Sequence, residues 1–181
     1  MNQLKWERLF TATGLLYDLT RKAILFAVLL VLLSQFIITV TRVSGSSMSP
    51  SLLSGEVLVI DRLIYRRTAP HRSDIVTLQF PGDPVREHYV KRIVGLPGEV
   101  VTVQDSDILI DGHLIAEPYL PNRLPSIKMN KSWTLGPDQY FVVGDNRVNS
   151  NDSRVFGPVE GRFLTGRVWL VIWPLDALQL Y

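Results

Sequence analysis

The sequence predicts a mostly β domain, barrel-like or sandwich, preceded by one apolar helix. Three observations carry this expectation. An uncharged apolar run occupies residues 23–40. From residue 44 onward no stretch sustains a 3.6-residue period. In its place come short segments rich in Val, Ile, Tyr, Phe and Trp, punctuated by turn residues.

Residues 1–22, with Lys5, Arg8, Arg21 and Lys22, read as a cytoplasmic segment. The run 23–40 reads as a transmembrane anchor. Its 18 residues just reach across a bilayer core of ~30 Å, and Ser34 and Gln35 are its only clearly polar interruptions. Basic residues cluster before it and only Arg42 follows closely. That bias puts the N-terminus in the cytoplasm and residues 41–181 on the outer face of a cell membrane, or in a lumen. The other reading is a cleaved secretory signal, with small residues at Ser44, Gly45 and Ser46. The run exceeds the roughly 7–15 residues of such a signal's apolar core, which favours the anchor.

Residues 56–60, 74–80, 88–94, 99–104, 107–110, 139–143 and 167–173 are the expected strands. Pro81-Gly82-Asp83-Pro84 and Leu96-Pro97-Gly98 are expected turns, and Asp111-Gly112 a type I′ hairpin between Ile110 and His113. Residues 116–137, with Pro118, Pro121, Pro125 and Pro137, read as a long surface loop or small subdomain. The last apolar run, at 168–175, is too short to span a membrane and reads as a final core strand.

The 181 residues are 46% hydrophobic with a net charge of +2, enough for one core of ordinary size. The basic residues are scattered among acids, so no nucleic-acid partner is expected. The absence of cysteine rules out disulfides, thiolate metal sites and a cysteine nucleophile. His71, His88 and His113 lie far apart in the chain without ligand spacing, so neither metal nor cofactor is expected.

Three segments carry the chemistry. Gly45-Ser46-Ser47-Met48-Ser49-Pro50 is a turn whose small residues leave a hydroxyl open to approach, although most serines in such turns only bond the backbone. Lys91 and Arg92 are successive cations in an alternating strand and must point to opposite faces. The pattern leaves open which one faces inward. A serine nucleophile needs a base near the working pH. A free lysine titrates at about 10.4, so lowering it by about three units costs roughly 4 kcal/mol, which desolvation among Val90, Ile93 and Val94 could supply. Gly144 to Arg154 is dense in hydrogen-bonding groups, with Asp152 and Arg154 as expected partners.

Taken together, the Ser-Met-x-Pro segment after the apolar run, Tyr89-Val90-Lys91-Arg92 followed by Gly95-Leu96-Pro97-Gly98, the Gly144-to-Arg154 block and Phe156-Gly157-Pro158-Val159 closely resemble the bacterial type I signal peptidases over the whole chain. The resemblance implies Ser47 as nucleophile, Lys91 as general base and Ser150 as the hydroxyl orienting the lysine amine. It implies Asp145, Asp152 and Arg154 as the polar scaffold behind them, and Met48, Leu52, Tyr89 and Val90 as substrate-cleft residues. The implied substrates are signal peptides of preproteins, met at the bilayer. Some members carry a serine where this chain has Gly45, so the oxyanion is expected to rest on backbone N–H groups, first that of Ser47. A Gly45→Ser change that raised turnover would reveal a missing donor.

Seven residues separate Val40 from Ser47, at most about 25 Å, which keeps the nucleophile near the membrane surface. A chain lacking residues 1–42 is therefore expected to keep peptide chemistry and lose efficiency on membrane-bound preproteins. Three other readings stand against this one. A self-cleaving Ser/Lys repressor-type protease would lack the apolar run. A Ser-His-Asp hydrolase would use His88 and a G-x-S-x-G turn that is missing. A membrane-anchored binding module would not depend on Ser47.

Overall fold

The computed structural model describes residues 3–79, 88–121 and 125–181, with the side chains of 3–13 and 33–36 left aside. The expected turn at 81–84 lies outside the described residues. The chain divides into two compact units, Met1–Ile37 and Ile38–Tyr181.

The first unit is one helix, α1 (Gln3–Ile37). Ile24, Leu25, Phe26 and the run from Val28 to Leu32 are half or more exposed around its whole circumference. The expected span at 23–40 does not form as one piece, because the helix stops at Ile37 and Ile38 opens strand β1 (Ile38–Arg42). Ile38, Thr39, Val40 and Thr41 are all β-branched and stiff at χ1, which favours the extended state. The neighbouring strand β2 (Val57–Asp61) gives them a partner, in register from Ile38 on Asp61 to Arg42 on Val57. The uncharged helical stretch is thereby 23–37, about 22 Å at ~1.5 Å per residue. Among the described residues no helix is long and apolar enough to cross a membrane.

The second unit is mostly β, as the strand spacing predicted. The remaining strands are β3 (Ile75–Gln79), β4 (His88–Gly95), β5 (Val100–Gln104), β6 (Asp107–Ile110), β7 (His113–Leu114), β8 (Asn130–Thr134), β9 (Gln139–Val143), β10 (Val159–Glu160), β11 (Leu164–Trp173) and β12 (Gln179–Leu180); a short helix, α2 (Ser153–Phe156), precedes β10. An open antiparallel sheet runs β1-β2-β11-β3-β4-β9-β10, with β12 beside β11, and a second sheet runs β7-β6-β5-β8. The Asp111-Gly112 turn forms as expected, with φ of +49° and +81° and Ile110 paired to His113. Residues 116–137 are not all loop, since β8 within them completes the second sheet against β5.

Strand alternation distributes the core. On β9, Phe141 and Val143 join Val94, Val101, Val103 and Ile108 between the sheets, while Tyr140 and Val142 join Val76, Leu78 and Ile93 on the other side. A third cluster gathers Val43, Met48, Leu52, Leu58, Ile60, Ile75, Val168 and Val171. It anchors the loop that follows β1, which bears Ser47.

Candidate active site

The Ser47 loop is pinned at both ends. Val43 N donates to Glu56 O (2.8 Å) and Gly55 N to Val43 O (2.9 Å), closing its base. Within it Ser49 N donates to Ser46 O and Leu52 N to Met48 O, so Met48 and Leu52 turn into the core together. Gly45, at φ +91°, makes the bend that lifts Ser46 and Ser47 out of the strand direction. Leu52 is wholly buried and does not line the cleft, which corrects its expected substrate role: the Met48-to-Leu52 turn sends it inward. Met48, Tyr89 and Val90 do line the cleft.

Lys91 and Arg92 alternate across β4, yet both are buried, at 2% and 4% exposure. The choice between them therefore dissolves, because each face supplies its own partner. Arg92 grips Asp145 with two bonds, Nε to Oδ1 (3.0 Å) and Nη2 to Oδ2 (2.7 Å). Its Nη1 donates to Ser73 O (2.9 Å), and Tyr119 lies under the guanidinium at 3.7 Å. Lys91 Nζ donates to Ser47 Oγ (2.9 Å) and to Val90 O (3.0 Å).

Burial pushes the Lys91 amine down to about 8, while Asp152 and Asp145 pull the other way and Arg154 adds to the fall. Among the described residues no carboxylate bonds the amine. Asp145 is held by Arg92, and Asp152 by Arg154 through Nε (2.7 Å) and Nη2 (2.7 Å). Two arginines thus offset the two acids that would otherwise keep the lysine charged.

The third segment closes over the Ser47 loop. Asn146 N donates to Ser47 O (3.0 Å), Asn146 Nδ2 to Ser46 O (3.1 Å) and Asn149 Nδ2 to Ser46 Oγ (2.9 Å). Asp152 Oδ2 accepts from Gly144 N (2.9 Å), and Arg154 Nη1 donates to Arg147 O (2.7 Å). Arg147 is itself paired with Glu117. Ser150 Oγ is buried beside Gly144 and makes no hydrogen bond among the described residues. The expected Ser150–Lys91 bond is therefore not formed; the Val90 carbonyl and Ser47 hold the amine instead. Arg92, Tyr119, Asn146, Asn149 and Glu117 are supporting residues that the sequence reading did not assign. Arg92 and Asn146 stand inside the quoted motifs, whereas Tyr119 and Glu117 lie in the segment read as loop.

No group of three or more potential metal ligands occurs among the described residues. The arrangement suits proton transfer between a hydroxyl and a shielded amine, at the head of a cleft between β1 and β4.

A family described as signal peptidase, peptidase S26, matches residues 17–173. Signal peptidase I T of Bacillus subtilis (strain 168) is 43% identical over 168 residues, 87% of this chain and 86% of that protein. Signal peptidase I of Bacillus amyloliquefaciens is 42% identical over the same shares. A crystal structure of a signal peptidase I from Enterococcus faecalis V583 overlaps 55% of this chain and 97% of that one, at 30% identity and a TM-score of 0.48. With nearly the whole chain matched in this way, it belongs to the type I signal peptidase family.

Proposed function

We propose that the chain is a membrane-anchored serine endopeptidase that removes N-terminal signal peptides from secreted preproteins. The observation that carries this reading is the 2.9 Å from Lys91 Nζ to Ser47 Oγ, with the amine buried and lowered to about 8. Neutral Lys91 takes the Ser47 proton as Oγ attacks the carbonyl at the end of the signal peptide. The C–N bond breaks, and Lys91 returns that proton to the leaving amine. Water, deprotonated by Lys91, then hydrolyses the ester and frees Ser47. The Ser47 N–H has no protein partner among the described residues, which supports it as an oxyanion donor. Ser150, buried and unbonded, is the group we assign to holding the amine once Ser47 is acylated.

The anchor is part of this proposal. An apolar surface around all sides of α1 needs an apolar surrounding. Arg21 and Lys22 can snorkel to extend the reach of the 23–37 stretch, with the N-terminus cytoplasmic and the β domain on the outer face. Because β1 pairs along its whole length with β2, a soluble form must keep Ile38 onward; cutting after residue 42 would strip a strand.

The test is preprotein cleavage by wild type, Ser47→Ala and Lys91→Ala. Each variant should lose at least roughly 10²–10⁴ in rate. Normal processing by Lys91→Ala rules the dyad out. A form lacking residues 1–37 should cleave peptides and lag on membrane-bound preproteins; equal rates on both would remove the anchor from the mechanism.

A further inference from the structure

One guanidinium joins the segments that carry the chemistry. Arg92 follows Lys91 on β4. Its Nε and Nη2 hold Asp145 in the third segment, and Nη1 donates to Ser73 O (2.9 Å). Nη2 also reaches Ser51 Oγ (3.3 Å), in the turn directly behind Ser47. These donors lie along the edge of a planar group, so its faces are what remain to be packed. Tyr119 covers one face, with its ring centroid 3.7 Å from Arg92 Cζ.

Tyr119 is fixed in turn. Its hydroxyl donates to Glu117 Oε1 (2.6 Å), and the same oxygen accepts from Arg147 Nη2. Burial and the Glu117 charge push that hydroxyl up, so it remains a donor at working pH. Arg147 stands two positions past Asp145, with Nε donating to Gly144 O (3.2 Å) and Nη1 to Ser106 O (2.9 Å). The contacts close a circuit. It runs from Arg92 to Asp145, along the chain to Arg147, across to Glu117, and through Tyr119 back to Arg92. Arg92, Asp145 and Arg147 are buried, and the Glu117 side chain is 10% exposed. A buried network of this kind is stiff while every member is satisfied. Neither Glu117 nor Tyr119 lines the cleft, so neither is placed to touch a substrate.

We infer that Tyr119, held by Glu117, is a positioning residue for the Ser47–Lys91 pair. Its ring seats the Arg92 guanidinium, and through it both the strand that carries the base and the turn behind the nucleophile. This rests on the reading of Ser47 and Lys91 as the reacting pair. Without the ring, Arg92 keeps its charge and its donors but loses the surface that holds its plane. Rotation of the group shifts Ser51 on one side and Asp145 on the other, and the 2.9 Å from Lys91 Nζ to Ser47 Oγ is no longer maintained. The cleft walls are left in place, so the loss falls on kcat and not on KM.

The experiment uses the full-length chain in non-ionic detergent and a peptide carrying an A-x-A cleavage signal. kcat and KM are measured for wild type, Ser47→Ala, Tyr119→Leu, Tyr119→Phe and Glu117→Gln, with thermal unfolding verifying that each is folded at the assay temperature. Tyr119→Leu should lower kcat by about 10- to 10²-fold, the scale of misplaced reacting groups, with KM within about twofold of wild type. Tyr119→Phe keeps the ring over Arg92 and should recover most of that loss. Glu117→Gln keeps an acceptor but removes the charge facing Arg147, and should lower kcat by about threefold or more. Wild-type kcat in Tyr119→Leu overturns the positioning role, as does a raised KM at unchanged kcat. Tyr119→Phe as slow as Tyr119→Leu also overturns it, because the ring would then not be the part that acts. Wild-type kcat in Glu117→Gln overturns the circuit too, and that variant decides alone if Tyr119→Leu does not fold. Wild type that cleaves no faster than Ser47→Ala overturns the underlying reading and the positioning role with it.

Discussion

Ser150 packs against the bare Cα of Gly144 so closely that a methyl group there would overlap both the Ser150 hydroxyl and the Ser47 carbonyl oxygen. Gly144 is thus the spacer that lets the third segment close over the nucleophile loop. Gly144→Ala should move both serines, lowering cleavage by about 10²-fold, the cost of misplacing reacting groups by ~1 Å. Stability should fall by about 1–3 kcal/mol from overpacking. Peptide kinetics with thermal unfolding would measure both, and a fully active Gly144→Ala enzyme would contradict the spacer role.

On the proposed mechanism, Lys91, pushed down to about 8 by burial, sets a pH profile. The neutral amine is the active form, so kcat/KM should rise with pH through an apparent pKa of about 8 and fall away below it. Stability follows the same sign. The unfolded lysine, at about 10.4, binds more protons than the folded one, so stability rises from pH 8 to about 10.4 and the full penalty applies below 8. Replacing Lys91 by methionine should therefore abolish cleavage and stabilise the protein at neutral pH, by about 1–3 kcal/mol. A Lys91→Met protein less stable than wild type at pH 7 would refute the buried-amine account.

Asp152 acts on that lysine through charge. It raises the Lys91 pKa against the effect of burial, and its partner Arg154 lowers it. Asp152→Asn keeps an acceptor for Gly144 N and removes the charge. The acid limb of the rate profile should shift to lower pH, with a stability loss of about 3–5 kcal/mol from leaving Arg154 unpaired. A limb that moves upward would show that Asp152 does not act in this way.

The backbone at Gly45 bears on the Gly45→Ser probe of the oxyanion donors. There is open space for a Cβ at Gly45, but its φ of +91° is one that L-residues adopt only with strain, on the order of 1–3 kcal/mol. The variant should be less stable and no faster than wild type. Faster turnover in Gly45→Ser, measured on a soluble peptide, would show that the loop can relax at little cost.

Much of this was readable before any coordinates. The strands at 107–110 and 139–143 were placed to the residue because their apolar alternation is bounded by turn signals. Ser47 and Lys91 could be named because their motifs are compact in sequence. Other parts were hidden for physical reasons. β1 was absorbed into the apolar run, since Ile38 and Val40 suit a lipid-facing helix and a strand alike. β8, reading Asn-Lys-Ser-Trp-Thr, is mostly exposed and carries no apolar alternation; it is a strand because β5 offers an edge. Leu52 looked like a cleft residue until the turn at Met48 directed it inward. The pairing of Arg92 with Asp145, 53 positions apart, depends on β4 lying beside β9 and has no local signal.

The bond from Asn146 to the Ser46 carbonyl closes a separation of 100 residues, and Lys91 reaches its serine across 44. Contacts that distant form late, after the loop-closure entropy has been overcome. A nascent chain that has emerged only as far as Lys91 holds both reactive groups but not the clamp that fixes them. In the proposed mechanism the reactive pair is therefore incompletely held until residue 146 has been made.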